Sequence, residues 1–249
     1  MRVRRNEKSM IDLTARQIQI LRAVIEEFIN TAEAVGSETI DKKYSIGVSP
    51  ATIRNEMVYL EKQGYLKKGH SSAGRLPTSL AMKLYVNELM KERELSVADE
   101  VSAKEKIWNS RKEMDELLYQ MTRVLADKSK ALCVTVLEDD RMFQSGYANL
   151  LQMPEFFDIT VMRNVLQLSE EAKLLEELFD SGTSENLVHV IYGPEMGNIH
   201  LAPVGMIHMS FEIDQKKVHV GVLGSSRFDY PYVIPVMKYL RGLIREIVE

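Results

Sequence analysis

Proline is best tolerated in the first turn of an α-helix, and serine is a favoured residue just outside one, so Ser49-Pro50 marks a helix start at that point. At about 100° per residue, Ile53, Met57 and Leu60 then fall on one stripe that must face a core. Ala51, Asn55, Val58 and Lys62 lie opposite, flanked by Arg54 and Tyr59, and Gly64 marks the end of the helix. Upstream, Thr14 followed three residues on by Gln17 reads as a capping box, with apolar residues recurring at Ile18, Leu21, Val24, Ile25, Phe28 and Ile29. A shorter helix starts at Gly36-Ser37 and runs through Ile40 and Tyr44, and Ile46-Gly47-Val48 forms a tight turn into the Ser49 cap. Downstream, Tyr65 to Lys68 and Arg75-Leu76 read as short strands around His70-Ser71-Ser72-Ala73-Gly74. Helix, helix, turn, helix, hairpin is the order of a winged helix-turn-helix.

The polar face of the third helix has the side chains that duplex DNA requires. Asn pairs bidentately with adenine, Arg reads guanine or holds a phosphate, and a serine-capped helix start offers free N–H groups to phosphate. The candidate contacts are Ser49, Thr52, Arg54, Asn55, Tyr59 and Lys62 on the helix, and Lys67, Lys68, His70, Ser71, Ser72 and Arg75 on the hairpin. Arg75 has two readings: a charge carried to the backbone or minor groove by a tip of small residues, or a partner of a nearby carboxylate that holds the hairpin. Charge supports the nucleic-acid reading. Residues 1–78 hold thirteen Lys and Arg against nine Asp and Glu, whereas residues 79–249 hold nineteen against twenty-seven, so a basic first third is joined to an acidic remainder.

The rest of the chain reads as a small antiparallel sheet covered by helices. Leu187 to Tyr192, Met206 to Ile213 and Val218 to Leu223 are strand-like runs separated by turn signals at Gly193-Pro194 and Asp214-Gln215. Asp229-Tyr230-Pro231 opens a last helix bearing Val233, Val236, Met237, Leu240, Leu243, Ile244 and Ile247. Glu92 to Lys106 is charged and free of Gly and Pro, which predicts a helical connector.

Several classes of function are disfavoured. A single cysteine, Cys133, builds neither a disulfide framework nor a thiolate metal site and sits in an apolar run as a core residue. His189, His200, His208 and His219 show no ligand-spaced motif, so no metal and no cofactor is expected. Neither a phosphate-cradling glycine loop nor a G-x-S-x-G elbow occurs, and the chain is read as a non-enzyme. The basic start lacks an apolar run behind it, and no stretch approaches the roughly 18 apolar residues of a membrane span. A cytoplasmic protein with no membrane partner is expected.

Five segments, in three separate blocks of the chain, carry a family resemblance. "LTARQIQILRAVIEEFINTAEAVGSETI", "VSPATIRNEMVYLEKQGYL" and "HSSAGRLPT" resemble the N-terminal domain of the bacterial heat-inducible transcription repressor HrcA family. "GYANLLQMPEF" at 146–156 resembles a helix of that family, and "VGVLGSSRFDYPYVIPVMKYLRGLIREIV" at 220–248 its closing strand, Arg-x-Asp-Tyr turn and last helix. The resemblance implies an α+β chain with a winged helix-turn-helix over residues 1–94 and a reduced GAF-like α/β domain with an antiparallel sheet over 95–249. It further implies a repressor of chaperone operons that binds an inverted-repeat operator in double-stranded DNA, with the chaperonin GroEL as a partner. A ligand-responsive repressor with a pocket in the C-terminal sheet is the alternative.

Family members typically carry an inserted domain that contributes to dimerisation, whereas here "ALCVTVL" at 131–137 is followed by only Glu138 to Met142 before the 146–156 block. A homodimer must then rest on what remains. The candidates are the helical stretch around Ile107, Trp108, Met114, Leu117, Leu118, Met121, Val124 and Leu125, with Leu117, Met121 and Leu125 foremost, or the Val236, Leu240 and Leu243 face of the last helix.

Overall fold

The computed structural model describes residues 13–69, 74–181 and 186–248. The chain is an α+β protein that divides into two compact units, Met1–Met90 and Lys91–Glu249.

In the first unit α1 spans Ala15–Thr31, α2 Ser37–Tyr44 and α3 Pro50–Lys62. Strands β1 (Leu66–Lys68) and β2 (Arg75–Pro77) form an antiparallel hairpin, and α4 (Ser79–Leu84) follows, closing in one wider turn at Tyr85–Leu89. The capping box at the start of α1 is formed: Gln17 N donates to Thr14 Oγ1 and Thr14 N donates to Gln17 Oε1. Ile20, Leu21, Val24 and Ile25 of α1, Ile40 of α2, Ile53, Met57 and Leu60 of α3 and Leu66 of β1 are buried. The α3 stripe is the one the sequence requires, whereas in α1 Ile20 is buried in addition and Ile18, Phe28 and Ile29 are only half-buried. The unit is a winged helix-turn-helix whose wing gains a third edge, because Val35 and Arg75 exchange both backbone hydrogen bonds at 2.9 Å. Gly74 makes that approach feasible, since a Cβ there would lie 2.7 Å from the backbone of Ala34.

The second unit runs α5 (Val97–Trp108), α6 (Met114–Ser129), β3 (Leu132–Leu137), β4 (Met142–Ser145), α7 (Tyr147–Leu150), α8 (Ile159–Glu170), α9 (Ala172–Asp180), β5 (His189–Tyr192), β6 (Val204–Ile213), β7 (Lys216–Ser225) and α10 (Tyr230–Val248). The strands form one antiparallel sheet in the order β4-β3-β7-β6-β5. Side chains alternate across it, so each face belongs to a different helix layer. Cys133 and Thr135 of β3, with Val220 and Val222 opposite them on β7, share the face toward α6, where the Thr122 and Thr135 hydroxyls meet at 2.7 Å. Leu132, Val134, Val136, Met206 and Leu223 share the other face, in one core with Val161 and Val165 of α8 and Leu175 and Phe179 of α9.

Two local expectations change. The connector is helical only from Val97, because Ser96 caps it by accepting from Asp99 N, which leaves residues 91–96 outside the helix. The 146–156 block is no continuous helix: after α7, Pro154 begins a separate 3-10 turn through Phe157, since a proline ring there cannot continue the preceding hydrogen-bond ladder.

Candidate nucleic-acid interface

Helix α3 presents Arg54, Asn55, Tyr59 and Lys62 outward together, with the small Ala51 beside them. Lys67 and Lys68 on β1 are exposed as well. Ser49 and Thr52 are engaged at the helix start: Thr52 N donates to Ser49 Oγ at 3.3 Å, and the two hydroxyls lie 3.1 Å apart. His70, Ser71 and Ser72 lie outside the described residues.

Arg75 is not with this group. It stands on β2, its Nε donates to Glu61 Oε2 at 2.7 Å, and only 13% of its side chain is exposed. Of the two readings of Arg75, pairing with a carboxylate is the one observed. A guanidinium paired with the end of α3 holds the wing against that helix.

Two further polar clusters brace the elements around α3. Gln17 Nε2 donates to Glu56 Oε2 at 3.0 Å, so the residue that closes the capping box of α1 also ties α1 to α3. Glu27, 5% exposed, accepts from Lys43 Nζ at 2.5 Å and from the Tyr44 hydroxyl at 3.3 Å, which fixes α2 just before the turn into α3. Burial and the charges of Glu27 and Glu26 push the Tyr44 phenol up to about 12. Sequence reading missed Glu27, Glu56 and Glu61. Glu27 alone carried a signal, as an acid three residues after Val24 on the apolar stripe of α1.

In the second unit, the expected dimer contacts are occupied within the chain. Leu117, Met121, Leu125, Leu240 and Leu243 are each at most 4% exposed, as is Val236. The correction is physical: α6 and α10 pack on each other and on the sheet, so their apolar faces fill this chain's own core. Ile107 is buried too, whereas Trp108 faces outward.

The histidines fall into two environments. His200 is exposed, whereas His208 and His219 stand on the α9 face of the sheet on either side of Phe179, with ring centroids 5.3 and 5.2 Å from it. His219 Nδ1 lies 2.7 Å from Ser210 Oγ, while neither ring nitrogen of His208 has a partner among the described residues. Burial, then the neighbouring His189 and His219, holds His208 down at about 3. Among the described residues no group of three or more His, Cys, Asp or Glu is placed to hold a metal ion, and no helix is long and apolar enough to cross a membrane. Burial pushes the Cys133 thiol up to about 12, as suits a core residue. Helices pack both sheet faces, and a polar cleft of about 520 Å³ is lined by Lys106, Gln120, Arg123 and Asn149 among others, including Ser145 of β4.

Residues 77–234 match the family model described as the HrcA protein C terminal domain. A heat-inducible transcription repressor HrcA of Pelotomaculum thermopropionicum is 26% identical over 338 aligned positions covering 95% of this chain and 97% of that protein. Because 249 residues cannot fill 338 positions, at least 89 of them have no counterpart here. The HrcA of Symbiobacterium thermophilum is 36% identical over 173 residues, covering 70% of this chain and 46% of that protein. A crystal structure described as that of a hypothetical protein at 2.2 Å resolution superposes with a TM-score of 0.76 and 18% identity, covering 95% of this chain and 99% of that one. That last likeness concerns the fold.

Proposed function

The chain belongs to the HrcA family, and from that premise we propose that it is a sequence-specific DNA-binding repressor of chaperone operons that recognises an inverted repeat as a homodimer. The observation that carries this reading is the outward group Arg54, Asn55, Tyr59 and Lys62 on a helix whose core stripe and serine cap hold it in the pose of a recognition helix. Asn55 and Arg54 are the base readers, and Lys62, Lys67 and Lys68 are phosphate contacts that set register and affinity without sequence preference. An inverted repeat places equivalent helices about 34 Å apart, which requires two copies of the chain. The role assigned is one of binding, with no reaction and no cofactor, in the cytoplasm where the operator lies. Family resemblance adds the chaperonin GroEL as a partner.

The test is selection of bound sequences from random duplex DNA by the full-length protein. Enrichment of an inverted repeat, lost in Asn55→Ala, is the expected result. Enrichment of a direct or single site, or of none, overturns the reading.

A further inference from the structure

Two arginines flank α3, one tightly engaged and one loosely. At about 100° per residue, Arg54 and Glu61 lie on one side of the outward face of α3, and Thr52, Glu56 and Tyr59 on the other. The wing stands on the Glu61 side: Arg75 pairs with Glu61 at 2.7 Å, and Lys68 lies directly opposite Arg75 in the hairpin register. The start of α1 stands on the Glu56 side. There Gln17 Nε2 donates to Glu56 Oε2 at 3.0 Å, while Arg16 Nη1 lies 3.8 Å from Glu56 Oε1. The Arg16 side chain is 52% exposed, against 13% for Arg75.

We propose that Arg16 is a DNA phosphate contact on the side of α3 away from the wing. This deepens the repressor reading and rests on it. A helix seated in the major groove has a phosphate strand on each side. Lys67 and Lys68 serve the wing side, and Arg16 is the cation beside Glu56 on the other. Three features suit it to that role. The capping box of Thr14 and Gln17 fixes the backbone that carries it. Its approach to Glu56 is long and exposed, an arrangement that contributes little stability, so exchanging the carboxylate for a phosphate costs little. Glu56 keeps Gln17 as a donor when Arg16 turns away, so no carboxylate is left without a partner. A phosphate also offers the guanidinium two parallel hydrogen bonds, which the single long approach to Glu56 does not.

The experiment titrates the full chain and its Arg16→Ala variant against a selected duplex and a random-sequence duplex at several salt concentrations, with chemical denaturation alongside. Arg16→Ala should weaken binding to both about five- to tenfold near 0.1 M salt and lower the salt slope by about one. Its unfolding midpoint should not move, and Arg16→Lys should restore the slope. Arg22→Ala, which removes a charge from the same helix where it pairs with Glu26, should change neither affinity nor slope. An unchanged slope in Arg16→Ala overturns the proposal. So does an equal loss in Arg22→Ala, which would mean a response to net charge alone, and so does a loss of affinity that tracks a loss of stability. Selection that enriches no repeat, with the slope effect present on random duplex, removes the operator reading and leaves the contact standing. An enriched repeat bound by Arg16→Ala with the wild-type slope does the reverse.

Discussion

Arg75 Nε donates to Glu61 Oε2 at 2.7 Å, and this contact joins the second wing strand to the last turn of α3. The partners are 13% and 26% exposed, so the pair sits at the boundary where an ion pair orders structure without being fully desolvated. Arg75→Ala is expected to lower unfolding free energy by about 1–2 kcal/mol. It should weaken specific and random duplexes alike, because the wing loses its support. The swap Glu61→Arg with Arg75→Glu should recover most of the stability in chemical denaturation. An Arg75→Ala protein of unchanged stability that loses affinity would show instead that Arg75 touches DNA.

Base reading and phosphate holding separate by mutation. Asn55→Ala is expected to relax preference at one base position by roughly 1–3 kcal/mol, and Lys67→Ala or Lys68→Ala to weaken all sequences and lower the salt slope by about one. Titrations of operator and random duplex at several salt concentrations check both. Equal losses on the two duplexes for Asn55→Ala would remove it from the base-reading role.

Gly74→Ala places a methyl group 2.7 Å from the Ala34 backbone, where no flexible side chain can yield. A cost of about 1–3 kcal/mol is expected. Faster amide exchange at Val35 and Arg75, whose mutual bonds depend on that approach, would be the direct sign.

His208 makes the second unit acid-sensitive. Its folded pKa, about 3, lies below its ordinary 6.5, and burial lowers His219 and His189 as well, so the unfolded chain takes up these protons first. Stability is therefore full above about pH 6.5 and falls on acidification toward 3, by up to about 1.4 kcal/mol per pH unit for His208. His208→Leu should flatten this dependence, measured by denaturation at stepped pH. It should also raise stability near neutrality by about 1–3 kcal/mol, since two unpartnered buried nitrogens are removed. An unchanged slope would mean that another group governs the acid response.

Leu117→Ala and Leu240→Ala remove buried side chains, each 1% exposed. Each should cost about 2–5 kcal/mol. Association should be lost only where the fold is lost, with melting and sedimentation changing together. Folded monomers from either variant would return these faces to an interface.

The first unit was legible because its signals are local. Thr14 with Gln17, Ser49 with Pro50, and the Ile53-Met57-Leu60 stripe each fix an element within a few residues, and the elements follow one another in space. The site's outward residues came from the same periodicity. Its supports did not: Glu61 and Arg75 lie fourteen residues apart and Gln17 and Glu56 thirty-nine apart, and nothing local marks either pair. In the second unit, amphipathic faces on α6 and α10 were visible, but period alone does not say whether such a face meets the chain's own sheet or another molecule. Burial decided it for Leu117 and Leu240, and exposure separated Trp108 from its neighbour Ile107.

Strands β3 and β4 are joined by Glu138 to Arg141, and their ladder from Val136 with Met142 to Cys133 with Ser145 already holds the two chain ends side by side. Lengthening such a turn costs only about 0.6 kcal/mol for each doubling of its length. The hairpin is thus a permissive joint: a graft of tens of residues there, whether a fluorescent reporter or a whole folded module, would hang from the sheet edge without asking the sheet to rearrange. Growth and loss of chain at such a joint are therefore nearly neutral steps for the sheet that carries it.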